Sequence, residues 1–198
     1  MVRSFALYGG QFLLPLFLVR VQGYTENQIG LMILPGAVFI GLLFPFSGRF
    51  SDRYGAKPFI VVGLGIIIFF FLSLANVSSD TGFWGIQLPI LIRGLGLGLM
   101  VTPLTSLALN SIPHSRSANG SVLLNLFQQL GGSLGIATLG SILELESHIY
   151  RSRGISERAA TILSFQDAFK FGVLICVLAW LLTFALPKRF EGNTHGTA

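Results

Sequence analysis

Long uncharged apolar runs alternate with short polar stretches along this chain. Residues 29–46 and 59–77 hold no charged side chain, and comparable runs stand on either side of them. An apolar run of roughly 18 residues is long enough to cross a bilayer as a helix. The pattern therefore predicts an all-α integral membrane protein with six spans, at about 5–21, 28–47, 58–77, 83–110, 120–143 and 168–186. Pro35 and Pro45 fall inside the second span, where a membrane helix tolerates a kink. Met1-Val2-Arg3 ahead of the first run has the shape of a signal-peptide start. No small-residue cleavage pattern follows, and the run closes on Val19-Arg20-Val21-Gln22, so it reads as a short first span. In this reading residues 1–189 form one six-span membrane domain and 190–198 a cytoplasmic tail. Residues 144–167, too long for a tight turn and carrying both signs of charge, form an extracytoplasmic loop.

Composition agrees with that reading. The 198 residues are 52% hydrophobic and 11% charged, with mean hydropathy +0.73, whereas a soluble domain carries about 25% charged residues. The net charge of +5 is spread through loops with no basic run, which argues against a nucleic-acid partner. Arg3, Arg49, Arg53, Lys57, Arg116, Lys188 and Arg189 fall on one side of the expected topology; Arg20, Arg151, Arg153, Arg158 and Lys170 fall on the other. Bases favour the cytoplasmic face, so both termini of this multi-pass protein are expected there. The single Cys176 has no internal disulfide partner and reads as a packing residue. Asn76-Val77-Ser78 and Asn119-Gly120-Ser121 match glycosylation acceptors, a pattern too short to carry a role. No residues have metal-ligand spacing and no phosphate-cradling loop occurs, so no cofactor or metal is expected.

Polar residues within the spans are few and unevenly shared. Spans one, four and five carry Gln11, Arg93, Thr102, Thr105, Asn125, Gln128 and Gln129; spans three and six carry almost none. Polar groups at membrane depth are costly unless they face protein or water. The expectation is that spans one, four and five line a cavity, with Gln11, Arg93, Asn125 and Gln128 as its candidate substrate or ion contacts, and that three and six face lipid. Arg93 is the only charge deep in a span, about 15 Å from its start. Either it meets a carboxylate, carbonyls or a water-filled cavity, or it snorkels to the surface. Gly94 and Gly98, and Gly131 and Gly135, are spaced for close helix contact. Gly131-Gly132-Ser133-Leu134-Gly135 also matches a hydrolase nucleophile elbow, but it lies in a helical run with no His in any span, which argues against an enzyme. No Asp or Glu lies deep in a span.

Between spans two and three stands Gly48-Arg49-Phe50-Ser51-Asp52-Arg53-Tyr54-Gly55-Ala56-Lys57-Pro58, read as a tight turn. Asp52 has no topological use, Gly55 can take a positive φ where the chain reverses, and Pro58 can open the next helix. The spacing of Gly48, Asp52, Arg53, Gly55 and Lys57 resembles the loop signature of the major facilitator superfamily, with Phe50 and Ala56 departing from the usual residues. Residues 99–109, with Pro103-Leu104-Thr105, and Leu126-Phe127-Gln128-Gln129-Leu130-Gly131-Gly132 resemble the C-terminal half of fourteen-span drug:proton antiporters.

That resemblance implies a C-terminal-type six-span half of a secondary transporter, moving small molecules against protons by alternating access. It implies a gating role for the loop motif, whose acid would meet a helix end in the opposite half. The partners implied are a small-molecule substrate, a coupling proton, the lipid bilayer, and an N-terminal half or a second copy. A truncated non-transporting fragment or interaction module stays open, as does, remotely, a membrane-embedded enzyme. The Gly-rich stretch after Arg93 departs from the family's spacing, so a proton-coupling role is not carried over to that residue.

Overall fold

The computed structural model describes residues 2–78, 81–110 and 117–184, and among these it has six helices. They are α1 (Val2–Arg20), α2 (Glu26–Tyr54), α3 (Ala56–Ala75), α4 (Phe83–Asn110), α5 (Ser117–Ser152) and α6 (Glu157–Phe184). Five of them are long and apolar enough to cross a membrane; the apolar stretch of α1, Leu7–Arg20, is shorter. The 19 residues of α1 still extend about 28 Å, close to a bilayer's hydrocarbon thickness. The expected tail 190–198, with Arg116, Lys188 and Arg189, lies outside the described residues.

Two boundaries differ from expectation. Residues 48–54 are not a turn: α2 continues through them, and the chain breaks only at Gly55, with φ 85° and ψ 155°. The reason is a buried face. Ser47 and Ser51 are both buried, so the helix keeps packing where its other face has become charged. Gly55 takes a backbone conformation that side-chain-bearing residues resist, and α3 starts at once, with Pro58 in its first turn. Residues 144–167 are not a loop either. The helix α5 runs on to Ser152 and α6 begins at Glu157, leaving 153–156 as the connection, with Gly154 at φ 78°. Ala160, Ser164 and Phe165 on α6 are buried ahead of the expected span start at 168, so α6 is packed beyond its apolar run, and the extension of α5 past Leu143 is half-buried at Glu146, Ser147, Ile149 and Tyr150. An Arg151–Glu157 ion pair at 3.1 Å spans the turn. The Tyr150 hydroxyl donates to Asp167 Oδ2 at 2.5 Å, while Lys170 Nζ holds the other carboxylate oxygen at 2.8 Å.

The six helices form two trios. In one, α4 lies between α2 and α3; in the other, α1 packs on both α5 and α6; the trios join where α3 meets α6. Advancing every helix by three exchanges one trio for the other, and the helices so exchanged run in opposite directions. This is the pattern of an inverted repeat. Close approach within each trio depends on glycine. A Cβ on Gly94 would meet the Gly36 backbone, and one on Gly98 would meet Leu43 at 2.7 Å, both on α2. On the opposite side of α4, Gly96 faces Gly63 and Ile66 of α3. In the second trio Gly135 of α5 lies on the Phe5 backbone of α1.

The seam between the trios is aromatic. Across it Phe71 of α3 approaches Phe169 of α6 at 6.3 Å, and behind it, within the second trio, Phe17 of α1 meets Phe165 and Phe169 edge-on at 5.5 and 6.1 Å. Spans three and six were expected to face lipid, and the packing adds a second side to each. Each keeps an exposed apolar face, but α3 and α6 also form the centre of the body. Exposed large apolar side chains are most numerous on α2 and α5, which flank it.

Candidate functional site

A cavity of about 410 Å³ lies between α1, α4 and α5, within the size range of small-molecule pockets. Its polar lining is Ser4 and Tyr8 from α1, Thr105 from α4, and Ser121, Asn125 and Gln128 from α5; Leu7, Val101 and Leu124 supply the apolar wall. Helical spacing explains the set. Ser121, Asn125 and Gln128 stand at i, i+4 and i+7, one stripe along α5, and Ser4 and Tyr8 at i and i+4 form a shorter stripe on α1. Gly132 lets the Tyr8 ring lie against α5, since a Cβ there would be 2.7 Å from Tyr8 Cδ2. The Thr105 hydroxyl donates to the Val101 carbonyl at 2.8 Å, which leaves its oxygen to accept. The lining is thus hydroxyls and amides, with no carboxylate or base among the described residues.

Of the four residues expected at this cavity, Asn125 and Gln128 line it, while Gln11 and Arg93 do not. Gln11 sits on the exposed face of α1, one turn past Leu7. Arg93 is turned toward α1 and α3. Its Nη2 donates to the Leu7 carbonyl at 3.3 Å, and its guanidinium lies over the Phe70 ring, 5.5 Å from the centroid. It is 9% exposed, so it does not snorkel; it meets the cavity wall from behind, through Leu7. A carbonyl and an aromatic face take the place of a counter-ion. Ser4, Tyr8 and Ser121 were not among the expected contacts. Their helical spacing to Leu7, Asn125 and Gln128 was the available signal, but small hydroxyls at span ends read equally well as solvated.

The motif between α2 and α3 has two faces. Gly48 approaches Thr102 of α4, and Ser47 and Ser51 are buried. Asp52 and Arg53 are exposed, with the Arg53 guanidinium 5.6 Å over the Tyr54 ring. Lys57 is half-buried at the start of α3, and Gly55 is the reversal between them. Gly94, Gly98 and Gly135 make the helix contacts described above; Gly131 is buried on α5. Ser133 stands mid-helix and exposed, and His148 lies roughly 22 Å further along the same helix. The two cannot form a nucleophile–base pair.

Comparison with known proteins gives a consistent family. The Major Facilitator Superfamily model matches residues 1–136. An uncharacterized MFS-type transporter, YhcA of Bacillus subtilis (strain 168), is 29% identical over 168 residues, covering 85% of this chain and 32% of that protein. The lincomycin resistance protein LmrB of Listeria innocua serovar 6a is 27% identical over 181 residues, covering 89% of this chain and 38% of that protein. A tetracycline resistance determinant of Streptomyces rimosus is 37% identical over 144 residues, covering 69% of this chain and 40% of that protein. The chain thus spans between 32% and 40% of the length of these relatives.

Proposed function

Since the chain belongs to the major facilitator superfamily, we propose that it forms the C-terminal-type six-helix half of a drug-exporting proton antiporter. The α1–α4–α5 cavity is this half's share of the substrate site, and transport runs by alternating access against a companion half or a second copy of this chain. The observation that carries the reading is the cavity itself. Three helices from both trios converge a set of hydroxyls and amides, and these suit the hydroxyl, keto and amide groups of compounds such as tetracycline or lincomycin. Resistance to those compounds gives two of the relatives their names. The coupling acid belongs to the companion half in this reading: of the described acids, Glu26, Asp52 and Glu157 stand near helix ends, Glu144, Glu146 and Asp167 lie on the α5–α6 side, and none lines the α1–α4–α5 cavity. The α2–α3 motif is the gate, with exposed Asp52 reaching a helix N-terminus of the opposite half, and both termini face the cytoplasm at the plasma membrane.

The test is drug export by liposomes holding this chain with a companion N-terminal half, driven by an imposed pH gradient. Asn125→Ala with Gln128→Ala should cut tetracycline export about tenfold, two lost hydrogen bonds at about 0.5–1.5 kcal/mol each. Export unchanged in that double variant removes the cavity from the substrate path. Asp52→Asn should slow export up to about thirtyfold, because a charge at a helix end is worth about 0.3–2 kcal/mol. Insertion and abundance should stay the same; unimpaired export at equal abundance sinks the gating role. The chain by itself, in the same liposomes, should show no gradient-driven export.

A further inference from the structure

The α1–α4–α5 cavity lies at one end of α1; at the other end a larger cleft of about 810 Å³ opens between α1, α5 and α6. Its floor is apolar, set by fully buried Phe165 with Leu143 and Ile162 beside it. Its rim carries both signs of charge. Arg151 and Glu157 neutralise one another at 3.1 Å. Arg20, Arg158 and Glu144 also line the cleft, and among the described residues none of their side chains makes an ion pair or hydrogen bond.

We propose that this cleft holds the headgroup of a glycerophospholipid bearing a phosphodiester and a primary ammonium. Arg20 and Arg158 receive the phosphate, and Glu144 receives the ammonium. Three features point there. The first is charge balance. A purely anionic ligand would leave Glu144 opposed to it, and a purely cationic one would face Arg20 and Arg158. A zwitterion with its charges a few ångströms apart satisfies all three. The second is depth. Arg20 ends a helix about 28 Å long, which sets it at the level where a bilayer's headgroups begin. Arginine's planar fork suits a phosphate there. The third is the surround. Val19 is 48% exposed and Leu145 is 60% exposed, each adjacent in sequence to a rim residue, so apolar surface leads away from the cleft as an acyl chain requires. Free phosphate would use the two guanidiniums but neither Glu144 nor that apolar surface.

The experiment uses the purified 198-residue chain in detergent micelles, with lipid retention read by native mass spectrometry. The probes are dioleoyl phosphatidylethanolamine, dioleoyl phosphatidylglycerol and inorganic phosphate. Phosphatidylethanolamine should be retained in preference to phosphatidylglycerol, and millimolar inorganic phosphate should not displace it. The double variant Arg20→Gln, Arg158→Gln should weaken retention about tenfold or more, as expected for two charge-assisted contacts. Glu144→Gln should erase the preference for phosphatidylethanolamine while leaving phosphatidylglycerol retention as it was. Arg153→Gln, an exposed base outside the cleft, is the control and should change nothing; helicity by circular dichroism checks that each variant folds. Displacement by inorganic phosphate would make this a free-anion site and overturn the lipid assignment. Equal retention of both lipids in the wild type would overturn the ammonium contact. Variants that retain lipid like the wild type would reduce it to adventitious lipid and end the proposal.

Discussion

The two trios are built to one plan and joined differently. In α2–α4–α3, α2 and α3 barely touch, and one residue, Gly55, links them. Their cohesion comes through α4, which brings Gly94 and Gly98 to α2 and Gly96 to α3. In α5–α1–α6 the outer pair packs directly together. That pair is closed by a four-residue connection and secured by Tyr150, Asp167 and Lys170. The first trio has a hinge with exposed charge beside it; the second has a clamp. The same helix plan thus yields one flank that depends on a single backbone seam and one that is pinned at its end. Arg93 ties the two together, reaching from α4 to the Leu7 carbonyl of α1.

The strongest way to break this contrast is to close the glycine seam. Gly94→Val sets a branched side chain against the Gly36 backbone, where no rotamer can relieve the clash. Overpacking of this kind costs about 1–3 kcal/mol or more. The variant should melt well below the wild type in detergent, with the α2 segment losing hydrogen-exchange protection first. Gly41→Val, on the facing helix α2 with open space around it, should change the melting point little. Equal melting of the two variants would show that the seam does not hold the trio.

A smaller effect should come from the tie between the trios. Arg93→Lys keeps the charge but loses the planar group over Phe70, and Arg93→Ala loses both. The expected order of stability is wild type, Lys, Ala, with the first step about 1–2 kcal/mol. Lowered protection of α1 around Leu7 is the specific readout. If all three proteins melt together, Arg93 is not a tie. The smallest effect is expected at the clamp. Tyr150→Phe removes one hydrogen bond to Asp167 at a partly solvated site, about 1 kcal/mol. It should raise exchange at the α5–α6 connection and leave α2 and α3 untouched. Spread of the effect into the first trio would show that the trios are not separate units.

Much of the architecture was legible in the residues. The uncharged runs set six helices, because a backbone in lipid must satisfy its own hydrogen bonds. Gly55 marked the reversal between α2 and α3, because few other residues accept its φ. Asn125 and Gln128 showed themselves as polar side chains inside an apolar span, and the glycine pairs by their spacing. What the residues left open has one physical source. In a membrane, lipid and protein are nearly equally good neighbours for an apolar side chain. Apolarity therefore told that α3 and α6 are buried in something, and only the fold decided that part of it is each other, through Phe71 and Phe169. The same holds for helix ends: α2 outlasts its apolar run because Ser47 and Ser51 keep a packed face, and α6 starts ahead of its run because Ala160, Ser164 and Phe165 do. It holds for polar partners too. The sequence by itself determined that Arg93 needs acceptors; the crossing of α4 with α1 and α3 decided that these are the Leu7 carbonyl and the Phe70 ring, residues far away in sequence that only packing brings within reach.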